Sequence, residues 1–300
     1  SLIGKALADL GHEVIHIHAT RSKKTWRVKY PFEEYDGKVK IYHVRPRNIF
    51  ERLFYFLRLC QFFKDYVVKE ADVVYTREYS ILWLLKIMCQ PRGIKVVYTT
   101  PSDTRCVPIL RHPWKKLFGE FRPGIGYLPR TIGDLLISRI SQVVSTSYLM
   151  QDLTKDNHGI KTTVIHSGHP IPKETKFNKT KVPIVCWIAN VRRWKQPHIF
   201  LRLAEACSDL NARFIWVGRP SDDSYQLELE EMNSKLDNTD YWREIPFEYT
   251  NKLLEVASVF VNTSESREGF CNTYIQSFLR CTPVIGLNVN PDNVLDKNNI

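Results

Sequence analysis

The chain has 300 residues, of which 43% are apolar and 25% charged, ordinary globular usage that excludes a disordered, collagen-like or disulfide-scaffold protein. Lysine and arginine number 43 against 32 acidic residues, a net charge of +11, and at roughly 150 residues per domain two compact units are expected. The longest apolar runs, Ile81 to Leu85 and Leu53 to Leu57, are cut by Lys86 and Arg58, far short of the roughly 18 residues that span a bilayer.

Ile3, Ala6, Leu7 and Leu10 fall at helical spacing and Gly11 is a natural terminator, so the chain opens on a helix, with a strand predicted over Glu13 to His18. Strand and helix then alternate. A strand is predicted at Val39 to Val44 and a helix at Asn48 to Val68, whose Leu53, Phe56, Leu57, Cys60, Phe63 and Val67 form one stripe suited to core packing. Asp72 to Tyr75 reads as a strand, Ile81 to Cys89 as a helix, and Lys95 to Thr99, Val143 to Ser145 and Thr163 to His166 as further strands. That rhythm marks a parallel sheet wrapped by helices.

Between Pro170 and Pro183 prolines and charges replace large apolar residues, which suits an exposed connector. The expected division is therefore a first domain over residues 1–172, a linker over 173–182 and a second domain over 183–300. Alternation restarts with strands at Ile184 to Ile188, Arg213 to Val217, Val259 to Asn262 and Pro283 to Leu287. Helices are predicted near His198 to Cys207, Gln226 to Leu236, Thr250 to Ala257 and Tyr274 to Arg280. Two Rossmann-like halves of this kind bind ligands in the crevice at the carboxyl ends of their strands, where helix N-termini favour anions.

The cysteines, seven in number, stand singly with no C-x-x-C pair, which suggests neither a disulfide framework nor a zinc site and fits a reduced, cytoplasmic setting. Ser1 to Gly11 shows no basic segment leading into an apolar one, so no signal peptide is expected. His16 and His18 share a strand face, but no third metal ligand accompanies them. The basic excess is spread through both halves without a nucleic-acid-binding signature, so no nucleic-acid partner is expected.

The most informative segment runs from Ser264 to Gln276, Ser-Glu-Ser-Arg-Glu-Gly-Phe-Cys-Asn-Thr-Tyr-Ile-Gln, followed by Pro283-Val284-Ile285. A polar turn with Gly269 follows a strand and opens a helix, leaving the amides of Gly269, Phe270 and Cys271 to donate toward a polyol or phosphate. Glu268 can accept from hydroxyls, and Gln276, two turns on, leans back toward the same helix end. A capped helix start with a surface glutamate is the plain alternative. In Trp187-Ile188-Ala189-Asn190-Val191-Arg192-Arg193-Trp194-Lys195-Gln196-Pro197, cations follow a strand and precede a helix; a solvated basic turn is the plain reading there.

Glu-Gly-Phe, then a helix, then Pro-Val-Ile resembles the signature of glycosyltransferase family 4 (glycosyl transferases group 1) in the GT-B superfamily. Val164-Ile165-His166-Ser167-Gly168-His169-Pro170 is similar to the family's Val-Ile-Pro-Asn-Gly-Val stretch, and Phe214 to Gly218 to the strand after its phosphate-gripping loop. The resemblance implies an α/β GT-B fold of two Rossmann-like domains with a cleft between them, truncated at both ends: the family's Gly-rich turn would precede Ser1 and its closing helix would follow Ile300. It implies a retaining, metal-independent hexosyltransferase-like enzyme that moves a sugar from a nucleoside-diphosphate sugar to a hydroxyl of a glycan or glycolipid, as in cell-surface polysaccharide synthesis. No cofactor is implied beyond the donor itself, and no Asp-x-Asp metal clamp occurs in the chain.

Carried over by position, the resemblance makes Glu268, Lys195, Arg192 and Asp103 the catalytic candidates. Arg193, Gly269, Phe270, Cys271 and Gln276 become the donor-binding ones. Two positions depart from the family pattern: Gln276 stands in place of the second acid, which holds ribose, and Asn190 in place of an arginine. Fixed cations suit the chemistry, because breaking a sugar–phosphate bond leaves a diphosphate whose growing charge must be stabilised. Asp103 ends a predicted strand and is equally well read as a turn residue. The mixed basic and aromatic stretch Arg111 to Pro123 suits peripheral contact with the anionic inner face of the plasma membrane, an acceptor loop, or plain solvated surface. A non-catalytic GT-B module, or another GT-B enzyme such as a sugar-nucleotide epimerase, is the alternative reading.

Overall fold

A computed structural model describes residues 2–18, 32–35, 39–43, 60–78, 81–100, 106, 137, 140, 142–265 and 268–297. Asp103, the segment Arg111 to Pro123 and residues 48–59 of the predicted long helix lie outside the described residues. The chain divides into two compact units, one of Ser1–Thr100, Val107–Val144 and Thr154–Thr163, the other of Pro101–Cys106, Ser145–Leu153 and Val164–Ile300.

In the first unit helix α1 (Leu2–Asp9) leads through Gly11, at a φ of 91°, into strand β1 (Val14–His18). The sheet around β1 has the order β1-β3-β2, with β2 at Phe32–Tyr35 and β3 at Val39–His43. β2 pairs antiparallel with β3, so this sheet is mixed where an all-parallel one was expected. Two glutamates in Phe32-Glu33-Glu34-Tyr35 had masked it as a strand. A second sheet has the order β4-β5-β6-β7, with β4 at Val73–Thr76, β5 at Lys95–Thr100, β6 at Gln142–Ser145 and β7 at Thr163–Val164. Helix α2 (Leu82–Met88) buries Leu82, Leu84 and Leu85, and a helical segment through the π-turn Phe63–Val67 buries Phe63 and Val67. Of the predicted apolar stripe, then, the described part enters the core, with Phe62 stacked on Tyr66 at 4.9 Å. Helix α3 (Tyr148–His158), between β6 and β7, went unpredicted because its apolar residues, Tyr148, Leu149, Met150 and Leu153, are crowded into its first half and set up no helical repeat.

The second unit carries a five-stranded sheet of order β10-β9-β8-β11-β12. Its strands are β8 (Ile184–Ile188), β9 (Arg213–Val217), β10 (Thr239–Tyr241), β11 (Val259–Asn262) and β12 (Val284–Gly286). Its ladders β8–β9, β9–β10, β8–β11 and β11–β12 are all parallel. Helices α4 (Pro197–Ala206), α5 (Asp223–Ser234), α6 (Phe247–Val256), α7 (Asn272–Phe278) and α8 (Val294–Lys297) complete the unit.

Successive strand residues point to opposite faces. Trp187, Phe214, Trp216 and Val261 pack with Phe200, Leu201 and Ala204 of α4 and Tyr225 and Leu229 of α5. Cys186, Ile215, Val217 and Phe260 pack with Leu253 and Leu254 of α6 and Tyr274 of α7. Both faces are covered, which is why these strands read as nearly unbroken apolar runs rather than as alternating ones. α5 begins three residues before the predicted Gln226 because the Asp222 carboxylate accepts from the amides of Ser224 and Tyr225 at 3.0 and 3.2 Å, an N-cap that sets the start. All the cysteines are free thiols. Among the described residues no helix is long and apolar enough to cross a membrane, and no group of three or more His, Cys, Asp or Glu side chains is placed to hold a metal ion.

Candidate active site

From β8 the chain moves through β9 to β10 on one side of the sheet, then returns to add β11 and β12 on the other. The reversal lies between β8 and β11, and the loops leaving the carboxyl ends of two such neighbours diverge there, opening the crevice in which sheets of this kind bind ligands. Both cation-rich and acid-bearing loops singled out from the sequence start at these two strand ends.

The loop after β8 is held before it reaches its cations. Ala189 donates its amide to Val217 O at 3.1 Å and Val191 to Arg219 O at 2.9 Å. Gly218 permits that approach: a Cβ there would fall 1.8 Å from Ala189 O. A short 3₁₀ turn, Arg193–Lys195, follows, closed by Gln196 in the left-handed region at a φ of 50°. Pro197 then starts α4 with a φ already suited to a helix.

Thr263, the residue after β11, fastens the second loop to the first. Its hydroxyl lies 2.8 Å from Lys195 O and 2.9 Å from Gln196 O while accepting from Trp187 Nε1 at 2.9 Å, and the Glu265 amide donates to Trp194 O at 2.9 Å. The backbone of one loop is thereby bonded to the other, and Lys195 arrives against Glu268. Its Nζ contacts Glu268 Oε1, with the two side chains only 16% and 9% exposed. Ser264 Oγ donates to the same oxygen at 3.0 Å, and the Cys271 thiol contacts Oε2. The Lys195 ammonium also lies 4.3 Å from the centre of the Trp194 ring.

Burial pushes the Lys195 ammonium down to about 8, with the Arg192 guanidinium pushing the same way. The Glu268 carboxylate against it acts in the opposite direction. Burial likewise pushes the Cys271 thiol up to about 11, against the pull of Lys195, so it is a neutral hydrogen-bond donor at Glu268 rather than a nucleophile. A carboxylate and an ammonium held together in a nearly dry pocket are strongly coupled, and removing either leaves the other as an uncompensated buried charge.

The predicted residues do not all converge. Lys195, Glu268 and Cys271 meet; Gly269 is buried and Phe270 half-buried beside them, and exposed Arg192 is close enough to act on Lys195. Arg193 turns the other way. Its guanidinium grips the Glu228 carboxylate of α5 at 2.8 and 3.3 Å and lies over the Tyr225 ring at 4.4 Å. In a 3₁₀ turn residues two apart leave the axis about a third of a turn from each other, so Arg193 and Lys195 depart in different directions. Gln276 is buried in α7 and its Nε2 donates to Asn251 Oδ1 of α6 at 3.0 Å, a bond between two helices. Ser264 and Thr263 were missed as participants, although Asn-Thr-Ser directly after a strand is a turn signal: the Ser264 amide donates back to Asn262 Oδ1 at 2.8 Å.

No protein-family model matches the sequence, and no curated protein matches it. Solved structures do. Sucrose-phosphate synthase from Thermosynechococcus elongatus is similar with a TM-score of 0.71 at 16% identity, over 95% of this chain and 73% of that one. HepE from Anabaena, solved in complex with UDP-glucose, gives 0.63 at 14% identity over 91% and 79% of the two chains. TarM from S. aureus gives 0.56 at 17% identity over 77% of this chain, which spans only 44% of that protein. The chain has the GT-B fold. Both halves are therefore Rossmann-like domains of that fold, as the alternation of strands and helices predicted.

Proposed function

We propose that this protein is a retaining, metal-independent glycosyltransferase that uses a nucleoside-diphosphate sugar as donor and a hydroxyl of a glycan or glycolipid as acceptor. The observation that carries the reading is the Lys195–Glu268 pair, formed by the two loops that leave the sheet at its switch point. A diphosphate is a stronger anion than one carboxylate, so it takes over Lys195 as its counter-ion, with Arg192 at the rim adding a second charge. Glu268, released from the ammonium, then accepts from sugar hydroxyls, and the adjoining amides of Gly269, Phe270 and Cys271 donate to the same sugar. In the transfer the anomeric carbon–phosphate oxygen bond breaks as the bond to the acceptor oxygen forms. The acceptor's proton passes to the departing diphosphate, and the products are a glycoside and a nucleoside diphosphate. Lys195 stabilises the charge that develops on the leaving group, which is the electrostatic contribution such a site supplies.

Support from outside the chain lies in the fold shared with HepE, which binds UDP-glucose. The test is a thermal-shift panel of UDP, GDP, ADP and their sugar conjugates on the full-length protein, followed by donor turnover. Selective stabilisation by one nucleotide, and its loss in Lys195→Ala, is expected. No response to any nucleotide overturns the reading.

A second reading, a GT-B module that binds a donor without transferring its sugar, is favoured by Gln276, an uncharged residue whose Nε2 donates to Asn251, and by exposed Asn190. It predicts nucleotide binding with no donor hydrolysis and no transfer.

A further inference from the structure

Val164-Ile165-His166 continues β7 out of its ladder, and His166 meets three groups there. Its Nε2 lies 2.7 Å from Asp292 Oδ2, with the Asp292 side chain 8% exposed and that of His166 41% exposed. Its ring packs edge-on against Phe270 at 4.8 Å and lies 6.0 Å from that of Tyr148. Asp292 Oδ1 accepts the amide of Tyr148 at 3.0 Å, so both carboxylate oxygens are acceptors and the proton of the shared bond belongs to the histidine. Asp292 holds this place with its backbone in the left-handed region, at a φ of 54°, where a residue with a Cβ is strained by its own chain. In the neutral imidazole this bond selects the Nε2–H tautomer and leaves Nδ1 as a lone pair. Among the described residues it has no protein partner.

We propose that His166, fixed in this tautomer by Asp292, offers Nδ1 as the acceptor for one hydroxyl of the donor's sugar, making His166 a sugar-selecting residue and Asp292 its positioning residue. The inference rests on the donor-site reading above. Phe270, against which the imidazole is packed, follows Glu268 and Gly269 directly, so the ring is anchored beside the residues that the donor-site reading assigns to the sugar. A lone-pair acceptor selects for O–H over any group without a proton to give, and a site built to bond a hydroxyl discriminates strongly against a ligand lacking it. The orientation of an imidazole by a buried carboxylate behind it is how a histidine's free nitrogen is given a fixed role.

Three variants of the full-length protein test this by calorimetry with UDP, GDP and ADP and with UDP-glucose, GDP-mannose and ADP-glucose. His166→Ala is expected to weaken the bound sugar conjugate by about tenfold, the size of one lost hydrogen bond, while its free nucleotide binds as before. His166→Gln, which still presents an acceptor oxygen, recovers part of that loss. Asp292→Asn is the sharper probe: its amide oxygen still serves the Tyr148 amide, but its NH₂ donates to Nε2 and moves the ring proton to Nδ1. The conjugate is then weakened although every atom of the imidazole remains, and the ¹⁵N spectrum of the His166 ring switches tautomer. Equal conjugate-to-nucleotide ratios in the wild type, His166→Ala and Asp292→Asn overturn this inference alone. A wild-type protein that binds none of the nucleotides overturns the donor site and this inference together.

Discussion

Two lysines flank β8, and the second unit treats them oppositely. Lys179, just before the strand, places its ammonium on Leu254 O and Glu255 O at 3.2 Å, Arg280 O at 3.0 Å and Thr282 Oγ1 at 2.8 Å. Those are the terminal carbonyls of α6 and the turn beyond α7, which lack intrahelical partners and gather negative potential, so a cation there completes both helices and pins the connector to them. Lys195, just after the strand, is set against one carboxylate on a neighbouring loop. Carbonyls of the main chain cannot leave, whereas a side-chain carboxylate can rotate away when a stronger anion enters. Lys179 is thus held by neutral oxygens that stay in place, and Lys195 by a single charged partner that another anion can replace.

That contrast is tested most forcefully by Lys195→Ala, which is expected to lower turnover by about 100-fold or more through loss of charge stabilisation at the diphosphate, measured as kcat under saturating donor. An unchanged rate places Lys195 with the fasteners. Next in size is the pH dependence. With its ammonium lowered to about 8, Lys195 loses its proton as pH rises through that value, so kcat/KM is expected to fall about tenfold per unit above it. Lys195→Arg keeps its charge and flattens that limb. Bound diphosphate raises the value again, so the fall in kcat lies at higher pH than the fall in kcat/KM. In stability the sign is opposite. Between about 8 and the ordinary lysine value of 10.5 the unfolded chain holds a proton that the folded chain has released, so the contribution of Lys195 to stability increases as pH rises through that window.

Lys179→Met is expected to act on the fold and not on the chemistry: a loss of about 2 kcal/mol, from charged hydrogen bonds to carbonyls left without a donor, with kcat unchanged. The readout is a denaturant midpoint measured beside the rate. The smallest effect belongs to Arg193→Ala. Its pair with Glu228 is exposed on both sides, at 58% and 55%, so donor affinity and turnover are expected to stay within about threefold of the wild type. A loss as large as that of Lys195→Ala would return Arg193 to the donor site.

The difference between Arg192, Arg193 and Lys195 could not be read from their order in the chain. The sequence shows three cations after a strand; which way each points depends on a 3₁₀ turn whose exit, Gln196, has a positive φ that no local pattern announces. The same limit applies to Gln276. Its spacing from Glu268 invited a shared role, but the neighbour that claims its amide, Asn251, belongs to another helix. β2 and β10 were missed for a simpler reason: each is short and carries acidic residues, so neither produces the apolar run by which the other strands were found.

The layered α/β plan follows from the chain's own order, because apolar periodicity and turn residues act over a few residues and are written there directly. β8, β9 and β11 were located residue for residue, and with them the two strand ends from which the candidate loops depart. Which side chains meet is a matter of long-range packing: Lys195 with Glu268, Arg193 with Glu228, Lys179 with the ends of two helices, and His166 with Asp292 across 126 positions of sequence. Such pairings depend on strand order and loop closure, and a buried charge or amide takes whichever partner the packed chain brings within reach, since leaving it without one costs more than any local preference can repay.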